Sequence, residues 1–137
     1  DIGREVAALS VVLDGDFIDI IGVHPPSPTT AARAEERDRI LSEAAGWVKD
    51  RESPVVLVGD LNVTPWSAAY RTLRWRGWLL DSLHGSGIQA SWPVNWGMLS
   101  IPIDHVLHTP ELGSTDRRTG PSLGSAHRPV VVSIGHR

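Results

Sequence analysis

The sequence predicts an α/β fold of mixed (α+β) type, a mixed β-sheet with helices on one face. Three observations predict it. Short β-branched runs bounded by Gly, Pro and Asp recur along the chain, as strands do. Two stretches instead carry helical spacing. Their order reads β-β-α-β-α-β-β-β, which suits a single sheet with helices packed against it.

Each element has its own signal. Glu5 to Leu13 and Phe17 to Val23 flank Asp14-Gly15-Asp16, and Asp-Gly between apolar runs marks a hairpin. The Pro residues of His24-Pro25-Pro26-Ser27-Pro28 lack the donor needed to continue a ladder. Thr29 or Thr30 can cap the helix that follows, Ala31 to Asp50. Its stripe is Ala34, Ile40, Leu41, Ala44, Trp47 and Val48. Ser53-Pro54 ends it and opens the Val55-Val56-Leu57-Val58 strand. Thr64-Pro65-Trp66 reads as a cap with Pro at the first helical position, before a short helix over Ser67 to Arg76 ended at Gly77. Trp78 to Leu80 is expected as a strand or strand edge, and His84 to Gly87 as a Gly-rich turn. Ser91 to Met98 is expected to be irregular and Thr115 to Leu123 turn-rich. Ile103 to His108 and Arg128 to Ile134 are the last strands.

The length, 137 residues, fits one domain, and 41% hydrophobic residues with six Trp allow a real core. The net charge of −3 gives no global pull toward nucleic acid. Arg71, Arg74 and Arg76, and Arg117 and Arg118, form local clusters that read as solvated faces. There is no Cys, which excludes disulfides, thiolate metal sites and Cys nucleophiles and leaves the redox compartment unspecified. No stretch approaches the roughly 20 apolar residues of a membrane span. Asp1 opens without Met and without a leader pattern, so a truncated or processed chain is the expectation.

Chemistry concentrates at strand ends. Gly59-Asp60-Leu61-Asn62 closes the Val55 strand. If extended geometry persists, Asp60 and Asn62 point to one side. A carboxylate beside a carboxamide can take a proton from water, ligate a hard cation and hold a phosphoryl oxygen. A turn closed by Asp and Asn is the simpler account of that segment alone. Gly22-Val23-His24-Pro25, Ile103-Asp104-His105-Val106 and Gly124-Ser125-Ala126-His127-Arg128-Pro129-Val130 each add a His or Asp at the end or edge of a strand. Alternation puts His105 away from Asp104 and His108 on its side. That pair lacks a third ligand at convincing spacing, so zinc is not expected. His84 and His136 are expected in solvent.

This ordered set resembles the C-terminal half of the endonuclease/exonuclease/phosphatase superfamily, the fold of deoxyribonuclease I. The order is a strand ending in His, then Gly-Asp-x-Asn, an Ile-Asp-His-like strand, and Ser-Asp-His before a final strand. The resemblance covers nearly the whole chain and implies half of a four-layer αββα sandwich, as a single domain over residues 1–137. It implies a phosphoesterase, acting on a phosphodiester or phosphomonoester with Mg2+ or Mn2+. In it Asp60 activates water, Asn62 positions it, His24 and His127 stabilise the phosphoryl group, and Asp104 orients His127. A weak metal site would rest on Asp60 and Asn62. Nucleic acids and phospholipid head groups are the substrate classes it implies, and some bacterial relatives carry membrane anchors ahead of the domain.

Two departures stand against full activity. Ser125-Ala126-His127 has Ala126 where the resemblance implies Asp, and the N-terminal half has no counterpart. A lone half would leave an apolar sheet face in water, so pairing with the missing half or self-association is expected. A non-catalytic binding or assembly module that keeps the fold is the competing expectation. Trp47 is expected in the helix core. Trp66, Trp75 and Trp78, interleaved with Arg, can stack bases or, as preferred, fill the core with Arg outside. Trp92 and Trp96 precede Asp104 and either line a substrate wall or cover the core.

Overall fold

In the computed structural model, residues 5–137 are described; the start of the chain, residues 1–4, lies outside them. The strands are β1 (Val6–Leu13), β2 (Asp16–Val23), β3 (Val55–Asp60), β4 (Leu80–Asp81), β5 (Asp104–His108), β6 (Leu112–Thr119) and β7 (Val130–His136). The helices are α1 (Ala31–Lys49) and α2 (Ala68–Gly77). Five strands form a mixed sheet in the order β1-β2-β3-β5-β4, with β2 and β3 its parallel pair. Among the described residues, no helix is long and apolar enough to cross a membrane.

The β1–β2 hairpin follows from Asp14-Gly15, both at positive φ, which gives the turn a twist matched to its strands. The Thr30 hydroxyl caps α1 by accepting from the Arg33 amide. For α2 the cap is Ser67, whose hydroxyl accepts from the Tyr70 amide; Thr64 instead closes the preceding turn, its carbonyl accepting from the Ser67 amide.

Alternation decides what each strand face meets. Ile21 and Val23, Val55 and Leu57, and Leu107 point toward the helices. There they pack with Ile40, Leu41, Ala44, Val48, Tyr70 and Leu73 in the main core. Gly77 lets the helices approach closely, because a Cβ there would lie 3.5 Å from Ala45 Cα and 3.1 Å from Leu79 Cδ1. The opposite sheet face holds a smaller cluster of Ile18, Val56 and Leu112, with Ile20, Val58, Val106 and Ile134 around it.

Two expectations are corrected here. The sheet is not the only one: Thr115 begins no turn-rich stretch but lies within β6, which pairs with β7 as a separate two-stranded ribbon. A register shift between Thr115 and Arg118 and the positive φ of Asp116 accommodate the polar residues that suggested turns. This ribbon covers part of the second sheet face through Leu112 and Ile134. On that face the apolar residues left exposed in the strands include Leu9 and Val11 of β1, opposite Ile20 and Ile18. The second correction concerns Trp78, which is not in a strand. It is the left-handed residue that ends α2, and β4 starts only at Leu80.

The parallel register pairs Ile21 with Leu57 and Gly22 with Val58, which brings the strand ends together at Val23 and Gly59. Gly59 has φ +150°, and a Cβ on it would sit 1.9 Å from the Val23 carbonyl oxygen. Gly59→Ala should destabilise the fold by about 3 kcal/mol or more, combining steric overlap with backbone strain. Urea unfolding of the variant checks this, and a midpoint within error of the parent chain would refute it.

Candidate active site

The site lies where β2 and β3 end and β5 begins. Parallel strands deliver polar residues at their C-terminal ends, where a sheet opens into a crevice. His24 directly follows β2, and its Nδ1 is 3.2 Å from the Asp60 carbonyl oxygen. Asp60 is the last residue of β3, directly opposite Asp104, the first of β5. His127 arrives from the loop before β7.

Asp60 and Asn62 do not continue an extended strand. Asn62 has φ +51°, and its amide donates to Asp60 Oδ1 at 2.9 Å, a turn closed by the Asp side chain. The turn reading of the sequence thus describes the backbone, yet both residues still line one cleft. The Asn62 carboxamide is oriented by donating through Nδ2 to the Pro25 carbonyl at 3.0 Å. Leu61 between them is buried, its amide donating to the Ile103 carbonyl at 3.0 Å.

Two carboxylates directly opposite on paired strands repel one another. Burial raises the Asp60 carboxyl above its ordinary range, and the charge of Asp104 adds to this. The Asn62 amide, His127 and His24 oppose it. His127 lies against both acids. Its Nδ1 is 2.8 Å from Asp104 Oδ2, and its Nε2 is 3.8 Å from Asp60 Oδ2. The carboxylate fixes the ring and its tautomer, with Nδ1–H donating and Nε2 turned to the cleft. A single water or phosphoryl oxygen can touch both Nε2 and Asp60.

The cleft has a volume of about 720 Å³ and is lined by His24, Asp60, Asn62, Trp92 and His127 among others. The structure therefore gathers all five residues singled out in the sequence, four of them on the cleft wall and Asp104 behind His127. Trp92 is a wall of this cleft rather than core, its ring centroid 6.2 Å from that of His127. Ala126 contributes only backbone, its carbonyl accepting from the Val94 amide at 2.9 Å.

Asp60, Asp104 and His127 each offer a ligand atom, all within 4.8 Å of one another. This is a different set from the Asp60 and Asn62 expected from sequence. It does not make a complete site for a hard cation. Mg2+ takes six oxygens in near-octahedral order, whereas here Asp104 and the imidazole are already bonded to each other. The described residues offer a share of such a site, chiefly the carboxylate of Asp60.

Supporting residues escaped the sequence reading. The buried Ser91 hydroxyl lies 3.3 Å from both the Ile103 and Asp104 amides, and its carbonyl accepts from the Arg128 amide at 2.8 Å. It ties the loop before β5 to the His127 loop. Arg117 was expected in solvent but is only 6% exposed, and its guanidinium donates to the Asp104 carbonyl at 3.3 Å. Its placement follows from the unrecognised strand β6. The other histidines are accounted for. His105 faces the helices, donating through Nε2 to the Val63 carbonyl at 2.8 Å and packing on Tyr70, and burial lowers its pKa. The ring nitrogens of His108 face the Thr109 carbonyl and the Ser114 hydroxyl. His84 and His136 are exposed.

Comparison with known proteins places this geometry. No curated protein sequence matches the chain. The structure is similar to an endonuclease/exonuclease/phosphatase from Beutenbergia cavernae, with a TM-score of 0.76 and 21% identity over 96% of this chain and 39% of that one. It is also similar to the human Nocturnin catalytic domain, with a TM-score of 0.72 and 14% identity over 96% of this chain and 53% of that one. A third is the mannosyl-6-phosphatase Bt3783 of Bacteroides thetaiotaomicron, with a TM-score of 0.64 and 20% identity over 89% of this chain and 52% of that one. The chain spans about half the length of the first structures it matches. At these identities the likeness establishes the fold. The sequence profile of the Endonuclease/Exonuclease/phosphatase family matches residues 2–127, and the chain belongs to that family.

Proposed function

We propose that this chain is the C-terminal half of a metal-dependent phosphoesterase. The observation that carries the reading is the Asp104–His127–Asp60 array, with His127 Nε2 and the Asp60 carboxylate turned toward one point of the cleft. Hydrolysis of a phosphate ester needs an activated water and positive charge on the phosphoryl oxygens. Asp60 takes the proton from the attacking water. Its raised affinity for a proton suits that task better than an ordinary carboxylate's would. Asn62 positions the water or a phosphoryl oxygen. His127, its Nδ1–H held by Asp104, takes a second proton as the imidazolium and donates from Nε2 to the developing negative charge, and His24 supports the same group from the other wall.

Mg2+ or Mn2+ would supply further charge neutralisation when bound, with Asp60 and Asn62 contributing oxygens and the rest coming from outside the described residues. The missing half of the domain, or a second copy packed on the open β1 surface, would complete the site. Nucleic acids and phospholipid head groups both remain within the substrate class. One observation favours the second reading, a non-catalytic binding or assembly module: Ala126 stands exposed beside His127 with no carboxylate.

Hydrolysis of bis(p-nitrophenyl) phosphate in millimolar Mn2+ or Mg2+ tests the enzymatic reading. Ala126→Asp should raise the rate about tenfold or more over the chain as it stands, and Asp60→Ala should return it to background. No hydrolysis by any of the three, together with no thermal stabilisation by either metal, would favour the module.

Asp60 also predicts a trade of stability for function. Its folded pKa lies above the ordinary Asp value of 3.8, chiefly through burial, so the folded state holds the proton more tightly than the unfolded chain does. Stability from this group is full below that value and is lost as pH rises through the folded pKa. Asp60→Asn keeps an acceptor for the Asn62 amide and removes the charge. It should melt a few degrees higher than the parent chain near pH 7, with the gap closing as pH falls toward 4. A lower melting temperature at pH 7 would mean that the charge is not a burden on the fold.

A further inference from the structure

A second concave surface, at the C-terminal end of α2, takes no part in the proposed reaction. This groove has a volume of about 820 Å³, and its walls include Lys49, Arg71, Arg74, Arg76, Trp75 and Trp78. It shares no residue with the cleft at Asp60. Among the described residues no Asp or Glu lines it, and none of its four cations forms an ion pair. Arg71 and Arg74 instead donate to the carbonyls of Trp66 and Leu79, and Arg76 to the Ser42 hydroxyl. Positive charge is therefore concentrated in one place on a chain whose net charge is −3.

The two indoles are not core residues, contrary to the preferred sequence reading. Trp75 is 80% exposed and Trp78 73%. Trp78 also carries φ +53° and ψ +40° at the position that ends α2, where Gly adopts the left-handed conformation without a Cβ penalty. Backbone conformation opposes a Trp there and burial does not reward it. A bulky residue held in that region is an outlier of the kind that clusters at functional sites.

We propose that this groove binds single-stranded nucleic acid. Trp75 and Trp78 stack on bases, while Lys49, Arg71 and Arg76 hold phosphates. Exposed indoles among unpaired cations are the chemistry of sequence-tolerant strand binding. Concavity sets this ligand apart from a membrane: a flat lipid surface cannot follow a groove floored by Leu79 and Leu80, whereas a strand can. The site needs neither hydrolysis nor a metal, so it stands independently of the phosphoesterase reading.

Anisotropy of a fluorescein-labelled oligo(dT) of about twelve nucleotides, titrated with the full chain in EDTA, tests this. Binding should saturate, and log affinity should fall against log salt with a slope of about −2, as expected for three phosphates. Trp75→Ala should weaken binding about tenfold, the scale of one lost stack. Arg71→Glu with Arg76→Glu should weaken it further and flatten the salt slope. Trp78→Gly should weaken binding yet raise the melting temperature by about 3 °C, which separates lost contact from lost fold. No binding at about 50 mM salt overturns the proposal, as does binding that both Trp variants leave unchanged. Binding to phosphatidylserine vesicles without binding to the oligonucleotide overturns it in favour of a lipid surface.

Discussion

At Gly59 the backbone of β3 runs against the Val23 carbonyl of β2 with no space for a side chain. The parallel pairing of these strands depends on that contact, and so does everything beyond their ends. Because β2 and β3 stay paired up to Gly22 and Val58 and still touch at Val23 and Gly59, the residues that follow, His24 and Asp60, emerge side by side. The same closeness lets Asn62 turn back to Pro25, on the chain leaving β2. Three candidate catalytic side chains are thus set by one glycine and one strand register. Flexible loops alone would not hold them so.

The antiparallel pairing of β3 with β5 adds a conflict at the cleft. It sets Asp60 opposite Asp104, two acids that would separate if free to do so. His127 sits against both and gives the pair a partner that can carry positive charge. The imidazole is itself held by a chain of contacts running away from the cleft. Ser91 joins the loop before β5 to the loop carrying His127, and the buried Arg117 grips the Asp104 backbone from β6. Burial that raises the proton affinity of Asp60 costs stability and, in the proposed reaction, would make it a stronger base. A residue kept under such tension is what a reaction site requires and a purely structural turn does not.

The two faces of the sheet have different fates. The helix side is filled, with Leu57, Leu107 and Val55 fully enclosed. The other side is closed over only in part, by the β6–β7 ribbon, and stays open along β1. Asp60, Asp104 and Val106 belong to that second face by strand alternation. The site therefore sits on the side of the molecule with room for another layer. The α2 groove lies on the helix side, so a second layer and a strand bound there would not compete for space.

Local sequence determined much of this molecule. Asp14-Gly15 specified its hairpin through residues that accept positive φ, Thr30 its helix start through a hydroxyl acceptor, and the Val55 run its buried strand through apolar continuity. The ordered His24, Asp60, Asn62, Asp104 and His127 were legible because each terminates or borders such an element. Tertiary structure decided what local pattern cannot carry. Thr115 to Thr119 are polar and gave no strand signal, since β6 is held by pairing with β7 and by the buried Leu112 and Arg117. Arg117 and Ser91 are unremarkable until β6 and the loop before β5 fold onto Asp104. Trp75 and Trp78, interleaved with Arg, were expected in the core, yet both stand exposed at the end of α2, where Tyr70 and Leu73 already fill the helix side of the core. Pattern along a chain records which residues prefer to leave water; which of them find a place inside is settled by the elements that arrive from elsewhere in the sequence.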